Sequence, residues 1–349
     1  MDIDKLARRN VRELEPYSCA RDEYQGDTGI FLDANENSLG SVLTPGLNRY
    51  PDPLQKKLKA KISDVKNIAP ENIFLGNGSD EVIDLLIRAF CEPREDRILI
   101  MPPTYGMYAV TAGVNAVPVV RAPLTFNYQI DTDAVLKKSA GVKLIFICSP
   151  NNPTGNCLND TDIERILINF DGLVVLDEAY IDFAPERSWA KRLARYPNLV
   201  IMQTFSKAWG LANIRLGMGF ADRRIIELLN RIKYPYNVNG VTQQLALKGL
   251  SRESLKDKMV AQILAERRKL AARLEQLSIV EKVYPSEANF LLVKFENART
   301  IFNYLIDKQI IVRDRSRVVL CDNCLRITVG ASNENDELLQ QLMTYQGAQ

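Results

Sequence analysis

One lysine stands where its amine could do covalent chemistry. Lys207 lies in the segment TFSKA (204–208), just past the apolar segment 199–202, and Arg215 follows eight residues later. A lysine in a desolvated, cationic pocket can lose its proton near neutral pH, and the free amine can then form an imine with a carbonyl group. On this motif alone, a surface lysine is the simpler explanation.

A possible binding site for a phosphate group lies near residue 78. The segment GNGSD (76–80) separates the apolar segment 73–75 from a predicted helix that begins near Ser79. A glycine turn at a helix N-terminus presents free N–H groups and the positive end of the helix dipole, which together favour a phosphate. The spacing matches neither a P-loop nor a full dinucleotide-binding motif, and Ser79 as a simple helix cap is the alternative.

Two more polar segments follow apolar ones. In GLVVLDEAY (172–180), Asp177 and Tyr180 come just where a buried strand is predicted to end, and ligands bind at the carboxyl ends of strands in parallel sheets. Asn152 lies in the turn-rich segment CSPNNPTG (148–155), again after an apolar segment. Taken alone, each segment is explained equally well by turn formation or capping.

The elements that must position these residues form an α/β pattern. Four continuously apolar segments predict strands that are buried on both faces: 98–101, 144–148, 173–176 and 199–202. Helical stretches alternate with them at 82–90, 161–170 and 224–232. Strands that alternate with helices indicate an open, mostly parallel sheet flanked by helices.

The sequence pattern changes after about residue 240. Residues 252–277 carry one apolar helical stripe and would span about 39 Å, enough to bridge two domains. Predicted strands at 289–295, 310–312 and 325–329 and helices at 298–306 and from 333 then form a β-α-β-β unit. We therefore predict a large domain over 46–240, a smaller α+β domain over 241–349, and an N-terminal segment, 1–45, that packs with the small domain.

The composition limits the chemistry and the partners. None of the 349 residues is histidine, which excludes a histidine base, nucleophile system or metal ligand. Lys and Arg (45) nearly balance Asp and Glu (43), so we expect no nucleic-acid or membrane partner. Six scattered cysteines do not suit a disulfide scaffold, and Cys321 and Cys324 lack the other ligands of a zinc site. With no export signal and no long apolar stretch, we expect a cytoplasmic protein without a metal.

The four polar segments should converge on one crevice, because they all follow strands of one parallel sheet. They supply an amine, a carboxylate, a phenol, an amide and a phosphate-binding turn, which suits pyridoxal phosphate and needs no histidine. Asp177 would pair with the pyridinium nitrogen, and Tyr180 and Asn152 would bind the phenolic oxygen of the ring. The phosphate would be bound by Ser206, Arg215 and the N–H groups of Ser79 and Asp80. Tyr105 would stack on the ring or be an ordinary core tyrosine.

The sequence resembles the fold-type I pyridoxal phosphate aminotransferases over essentially its whole length. The segments most typical of that superfamily, in order and with Arg215 eight residues after Lys207, are SPNNPTG (149–155), DEAY (177–180) and SKA (206–208). Its histidinol-phosphate aminotransferase branch is favoured by ANEN (34–37), NRYP (48–51) and LRITVG (325–330).

The resemblance implies roles and substrates. Lys207 would hold the cofactor as a Schiff base and move the proton between the substrate Cα and C4′ of the cofactor. Tyr50 would reach the cofactor phosphate of a second subunit, so the enzyme would be a homodimer with shared active sites. The substrate end would be lined by Tyr17, Asn35, Arg313 and Arg326. The implied reaction interconverts histidinol phosphate and 2-oxoglutarate with imidazole-acetol phosphate and glutamate.

Other functions remain open from the sequence alone. Arg313 and Arg326 could bind a phosphate in one half-reaction and a carboxylate in the other, because a guanidinium fork suits both anions. Either arginine could instead form an ordinary surface ion pair. A threonine-phosphate decarboxylase or an aromatic amino acid aminotransferase would use the same fold and the same lysine. A non-catalytic regulator that binds the cofactor is a further alternative, although no DNA-binding element is evident.

Overall fold

The large domain is built on a seven-stranded sheet. The computed structural model describes residues 3–19 and 28–347, with side chains up to residue 345. The strands of the large sheet are β1 (Ile73–Asn77), β2 (Arg97–Ile100), β3 (Val119–Arg121), β4 (Val142–Cys148), β5 (Leu173–Asp177), β6 (Leu199–Thr204) and β7 (Leu216–Phe220). Their order is β1-β7-β6-β5-β4-β2-β3, and only β7 runs opposite to the other strands. The predicted mostly parallel sheet is confirmed.

Helices cover both faces of this sheet. Those of the large domain are α1 (Ile3–Leu6), α2 (Arg9–Glu13), α3 (Lys56–Lys66), α4 (Gly78–Phe90), α5 (Met107–Val114), α6 (Thr132–Lys137), α7 (Asp160–Asn169), α8 (Arg223–Ile232) and α9 (Gly240–Leu250). Alternate residues of β4, β5 and β6 enter two separate cores: Ile145 and Val174 lie in one, Phe146 and Val175 in the other. Burial on both faces explains why these strands read as continuous apolar segments.

Strand β7 was not predicted, because glycines interrupt its apolar pattern. Gly217 and Gly219 alternate with apolar residues in LGMGF, and glycine has a low strand propensity. A Cβ on Gly217 would lie 2.2 Å from the backbone nitrogen of Ser79. The glycine therefore lets β7 approach the first turn of α4.

The N-terminal helices do not pack where the sequence analysis placed them. Ile3, Ala7 and Val11, spaced four residues apart, are buried in the core that α4 and α8 form on one face of the large sheet. Arg231 of α8 also donates hydrogen bonds to the carbonyl oxygens at residues 11 and 12. The prediction that residues 1–45 pack with the small domain is therefore wrong for α1 and α2, because their apolar stripe belongs to the large domain. Residues 1–2 and 20–27 lie outside the described part of the chain.

The small domain contains a four-stranded antiparallel sheet. Its elements are α10 (Glu253–Leu274), β8 (Val280–Val283), β9 (Phe290–Phe295), α11 (Ala298–Asp307), β10 (Arg313–Asp314), β11 (Cys324–Thr328) and α12 (Ser332–Gly347), and the strand order is β10-β11-β9-β8. Two details differ from the prediction: β8 was missed, because none of its residues is fully buried, and β10 begins at Arg313 rather than at residue 310. Helix α10 contacts both this sheet and the segment Ile181–Phe183 of the large domain.

The boundary between the domains lies later than predicted. Helix α9 packs on α3, and its Ala246 and Leu250 belong to a core of the large domain. The large domain therefore extends to about residue 250, and α10 leads into the small domain.

Candidate active site

The polar segments meet at one edge of the large sheet. Strands β1, β4, β5 and β6 end at this edge, and the antiparallel β7 begins there. One cavity at this edge is lined by nine of the residues named from the sequence, which are Ser79, Asp80, Tyr105, Asn152, Asp177, Tyr180, Ser206, Lys207 and Arg215. Segments that are far apart in the chain converge because their strands run in the same direction.

Asp177 is the buried acid of this cavity. It is the last residue of β5 and is 3% exposed. Burial raises the pKa of its carboxyl group to about 6, although hydrogen bonds from the Tyr108 hydroxyl to Oδ2 (2.5 Å) and from the Ala179 N–H to Oδ1 (3.0 Å) act in the opposite direction. A carboxylate held in this way is best stabilised by a cation within the cavity.

Sequence reasoning missed three residues around this acid. Tyr108 is fully buried on α5, where its ring stacks on Phe146 at a centroid distance of 4.8 Å. Helix α5, which begins at Met107, was not predicted from the sequence, so no local pattern pointed to Tyr108. Cys148, paired with Asp177 between β4 and β5, and Thr204, the last residue of β6, also line the cavity. Both residues lie at the carboxyl ends of strands, where ligands bind in such sheets, so the sequence could have indicated them.

A cationic anion-binding corner lies beside the start of α4. Nη1 of Arg215 is 3.4 Å from the Ser206 hydroxyl, and Nη2 is 3.5 Å from Oδ2 of Asp80. The Tyr105 hydroxyl donates to Oδ1 of Asp80 at 3.1 Å. Since α4 begins at Gly78, the first N–H groups of this helix have no acceptor within it. The arrangement suits a phosphate group.

Lys207 reaches the cavity from the loop after β6. Its Nζ lies 5.4 Å from the centroid of the Tyr180 ring. Partial burial and, next, the charge of Arg326 lower the pKa of the amine, whereas Asp177 opposes this shift. The fraction of neutral amine near pH 7 is thereby increased, as a nucleophile requires.

The small domain brings Arg326 beside the cavity, although neither Arg326 nor Arg313 lines it. Nη1 of Arg326, on β11, donates to Oδ1 of Asn152 at 2.6 Å, which joins the two domains at the site. Arg313 on β10 is exposed and lies directly opposite Arg326 in the strand register. Sequence reasoning missed Arg315, which is half-buried and whose pKa is lowered by burial and by the charges of Arg326 and Arg313. Its spacing of two residues from Arg313 was the available signal.

Three predicted residues lie away from this cavity within the single chain. Tyr17 is 76% exposed and lines a second cavity beside Tyr234. Tyr50 is 52% exposed, stacks on Tyr236 at 4.4 Å, and lines another cavity together with Asn35. The fold of one chain does not bring these side chains to Lys207.

The cysteine pair forms part of the packing near the domain interface. Cys321 and Cys324 are fully buried free thiols, and burial raises their pKa values to about 11 and about 12. Within residues 3–19 and 28–347, no group of three or more histidine, cysteine, aspartate or glutamate residues could hold a metal ion. None of the helices in that part of the chain is long and apolar enough to cross a membrane.

Comparison with known proteins identifies the family. Residues 22–342 match the family "Aminotransferase class I and II". A histidinol-phosphate aminotransferase of Cytophaga hutchinsonii is 52% identical over 98% of this chain and 99% of its own length. The crystal structure of the histidinol-phosphate aminotransferase from Clostridium acetobutylicum has a TM-score of 0.81 at 26% identity and covers 87% of this chain and 92% of its own.

A second solved structure shows similarity of the fold alone. The Sinorhizobium meliloti histidinol-phosphate aminotransferase, in complex with pyridoxal-5′-phosphate, has a TM-score of 0.80 at 22% identity and covers 90% of each chain. The expected fold class and the family resemblance are thus both confirmed. The chain belongs to the class I and II aminotransferase family, in its histidinol-phosphate aminotransferase branch.

Proposed function

We propose that this aminotransferase uses pyridoxal phosphate to transfer the amino group of histidinol phosphate to 2-oxoglutarate, giving imidazole-acetol phosphate and glutamate. The observation that carries the proposal is the single cavity in which Lys207, the buried Asp177 and the anion-binding corner around Arg215 meet. The full-length similarity to histidinol-phosphate aminotransferases supports the choice of substrate.

The residues around the cavity fit the cofactor. A pyridinium nitrogen offers Asp177 a cation that, among the residues the structure describes, this buried carboxylate lacks at hydrogen-bond distance. Ser206, Arg215 and the N–H groups of Ser79 and Asp80 would hold the phosphate group, and Tyr180 and Asn152 the phenolic oxygen. Tyr105 would contact the ring. When bound, the cofactor supplies an electron sink for the carbanion that forms at the substrate Cα.

Lys207 is proposed to be both the anchor and the proton carrier. Its lowered pKa increases the fraction of neutral amine, which can bond covalently to the cofactor aldehyde. Once the substrate amine has replaced it, Nζ can accept the proton from the substrate Cα. Arg326 and Arg215 both favour this neutral amine, because each lowers the pKa of Lys207 by its positive charge.

Arg313 and Arg326 are proposed to bind both substrates in turn. Histidinol phosphate carries a phosphate and no α-carboxylate, whereas glutamate carries carboxylates. A guanidinium fork forms bidentate hydrogen bonds with either anion. One site on the small domain would therefore serve both half-reactions.

A homodimer is supported by an exposed apolar surface, which we call the N-terminal face. Its side chains are at least 46% exposed, and Val42 is fully exposed; they are Ile30, Leu32, Leu39, Val42, Leu43 and Leu47. A surface of this kind marks an interaction site, and a second copy is its proposed occupant. Tyr17, Asn35 and Tyr50, which lie away from their own cavity, would then complete the cavity of the second subunit.

A cytoplasmic location is also part of the proposal. It is supported by the six cysteine side chains, all of which are free thiols although they are buried. Unpaired thiols are usual for proteins of a reducing compartment.

The substrate assignment is tested by product analysis. Purified protein loaded with pyridoxal phosphate should convert histidinol phosphate and 2-oxoglutarate into imidazole-acetol phosphate and glutamate. Parallel reactions contain threonine phosphate, with detection of CO₂, and a panel of aromatic amino acids. Release of CO₂ would indicate a decarboxylase, and turnover of the aromatic donors alone would indicate an aromatic aminotransferase. A fully loaded protein that leaves histidinol phosphate unchanged would refute the assignment.

A further inference from the structure

Arg315 lies on the same side of the small sheet as the two arginines already described. Its N–H donates to the carbonyl oxygen of Cys324 at 2.9 Å, which extends the pairing of Arg313 with Arg326 along the two strands. Since side chains alternate along a strand, Arg313 and Arg315 share one face and Asp314 has the other.

The alternation gives β10 one face with an ion pair and an opposite face with the arginines. Asp314 forms an ion pair with Arg299 of α11 at 3.1 Å. On the opposite face, Arg326 donates to Asn152 of the large domain. The arginine face is therefore turned away from α11 and toward the catalytic cavity.

The positive charge of this face is not balanced by an acid among the described residues. Nε of Arg315 is buried and has no hydrogen-bond partner among the same described residues. Like charges opposite one another on neighbouring strands destabilise a sheet, as do buried donors without an acceptor. Both costs are removed by an anion bound between Arg313, Arg315 and Arg326.

The number of arginines favours a phosphate over a carboxylate. A carboxylate offers two oxygens and one negative charge, which two guanidinium groups already satisfy. A phosphate monoester offers three oxygens and about 1.5 to 2 negative charges at pH 7. A third guanidinium therefore adds binding energy mainly for the phosphorylated substrate.

We propose that Arg315 is a specificity-determining residue, which binds the phosphate of the substrate together with Arg313 and Arg326 and contributes little to binding of glutamate. This inference rests on the proposed function, because it assumes that the site takes a phosphorylated amine. Arg315 would favour binding of the phosphorylated substrate over glutamate and would take no part in the chemical step.

The test measures the two half-reactions separately in Arg315→Gln. The KM for histidinol phosphate should rise about tenfold or more, as expected for the loss of a charge-assisted hydrogen bond, and kcat should change little. The KM for glutamate should stay within about twofold. The matched control is Arg317→Gln, which removes an exposed arginine two residues away and should leave both constants unchanged. Equal effects on the two substrates, or no effect on either, would overturn the proposal.

A binding measurement separates this proposal from the proposed function. In calorimetry, the wild-type protein loaded with cofactor should bind inorganic phosphate, and Arg315→Gln should lose most of that affinity. If wild-type protein reacts with glutamate but not with histidinol phosphate, the proposed function fails, and the phosphate titration alone decides the role of Arg315. If Arg315→Gln does not fold, Arg315→Lys replaces it: the charge is kept, the fork is lost, and phosphate affinity should still fall. Unchanged phosphate affinity in the folded variant would refute the role.

Discussion

The buried carboxylate of Asp177 lowers the stability of the cofactor-free protein, whereas the bound cofactor needs that carboxylate. Burial raises the pKa of this carboxyl group from 3.8 to about 6. Between these pH values the native protein binds more protons than the unfolded chain, so the free energy of unfolding rises as pH falls through this window. Above pH 6 the ionised carboxylate costs about 3 kcal/mol, at about 1.4 kcal/mol per pKa unit. A bound pyridinium would remove this cost.

The substitution Asp177→Asn is therefore expected to have opposite effects in the two forms. Without cofactor, it should raise the free energy of unfolding at pH 8 by about 1–3 kcal/mol, and the gain should shrink as pH falls below 6. With cofactor, affinity should fall about a hundredfold or more, because a buried ion pair has lost one partner. Denaturant unfolding at several pH values and cofactor titration measure the two effects.

The control for this experiment is Asp171→Asn, which changes an exposed aspartate in the loop before β5 and should alter neither quantity. A cofactor-free Asp177→Asn protein that is less stable than wild type at pH 8 would contradict the account. So would unchanged cofactor affinity.

At the scale of single elements, the contact between β7 and the start of α4 positions the anion-binding corner. Gly217→Ala would place a Cβ 2.2 Å from the backbone nitrogen of Ser79 and 2.3 Å from the carbonyl carbon of Gly78. Because both neighbours are backbone atoms, the strand and the helix must separate. We expect the free energy of unfolding to fall by about 1–3 kcal/mol and the cofactor affinity to fall with it.

Gly113→Ala is the matched control, since a Cβ there meets nothing within 4 Å and the residue lies in helix α5. It should stabilise the protein by up to about 1 kcal/mol. Chemical denaturation and cofactor titration compare the two variants. If Gly217→Ala keeps full cofactor affinity, β7 does not position the corner.

An element can be predicted from the sequence when its pattern depends on its own residues and not on its tertiary contacts. Strands β4, β5 and β6 are continuously apolar because both faces are buried, so their sequence alone marks them and the cavity at their ends. Strand β7 carries glycines that only a tertiary contact explains. The stripe on α1 and α2 shows that these helices bury one face, but not which surface covers it.

The same reasoning explains which site residues were found. Asp177 stands directly after the predicted strand 173–176, and Lys207 lies in the segment that follows the predicted strand 199–202. A simple topological rule therefore places them together. Tyr108 lies on helix α5 and Arg315 directly follows the short strand β10, and their importance depends on neighbours in other segments. Only the folded chain brings those neighbours to them.

At the scale of the whole molecule, shared active sites predict complementation between subunits. If Tyr50 serves the cavity of the second subunit, a hybrid of Lys207→Ala and Tyr50→Ala chains has one cavity with both defects and one with neither. Lys207→Ala alone should be nearly inactive, and Tyr50→Ala alone should be weakened. The hybrid should regain about half of the wild-type activity per dimer.

Mixed refolding with two affinity tags, followed by assay of the purified hybrid, measures this recovery. Wild-type chains treated in the same way provide the control. The account of the N-terminal face would be contradicted by a hybrid that is no more active than the average of its two parents, or by a chain that sediments as a monomer at micromolar concentration.

We propose that Lys207 binds a vitamin B6 aldehyde covalently in the cavity that Asp177 lines. The absorption spectrum of the purified protein reports this bond. We predict an imine band that is present in wild type, absent in a folded Lys207→Ala protein, and converted by histidinol phosphate to the spectrum of the aminated cofactor. An imine band that survives in Lys207→Ala without added amine, or a wild-type protein that takes up the aldehyde without forming the band, would contradict the account.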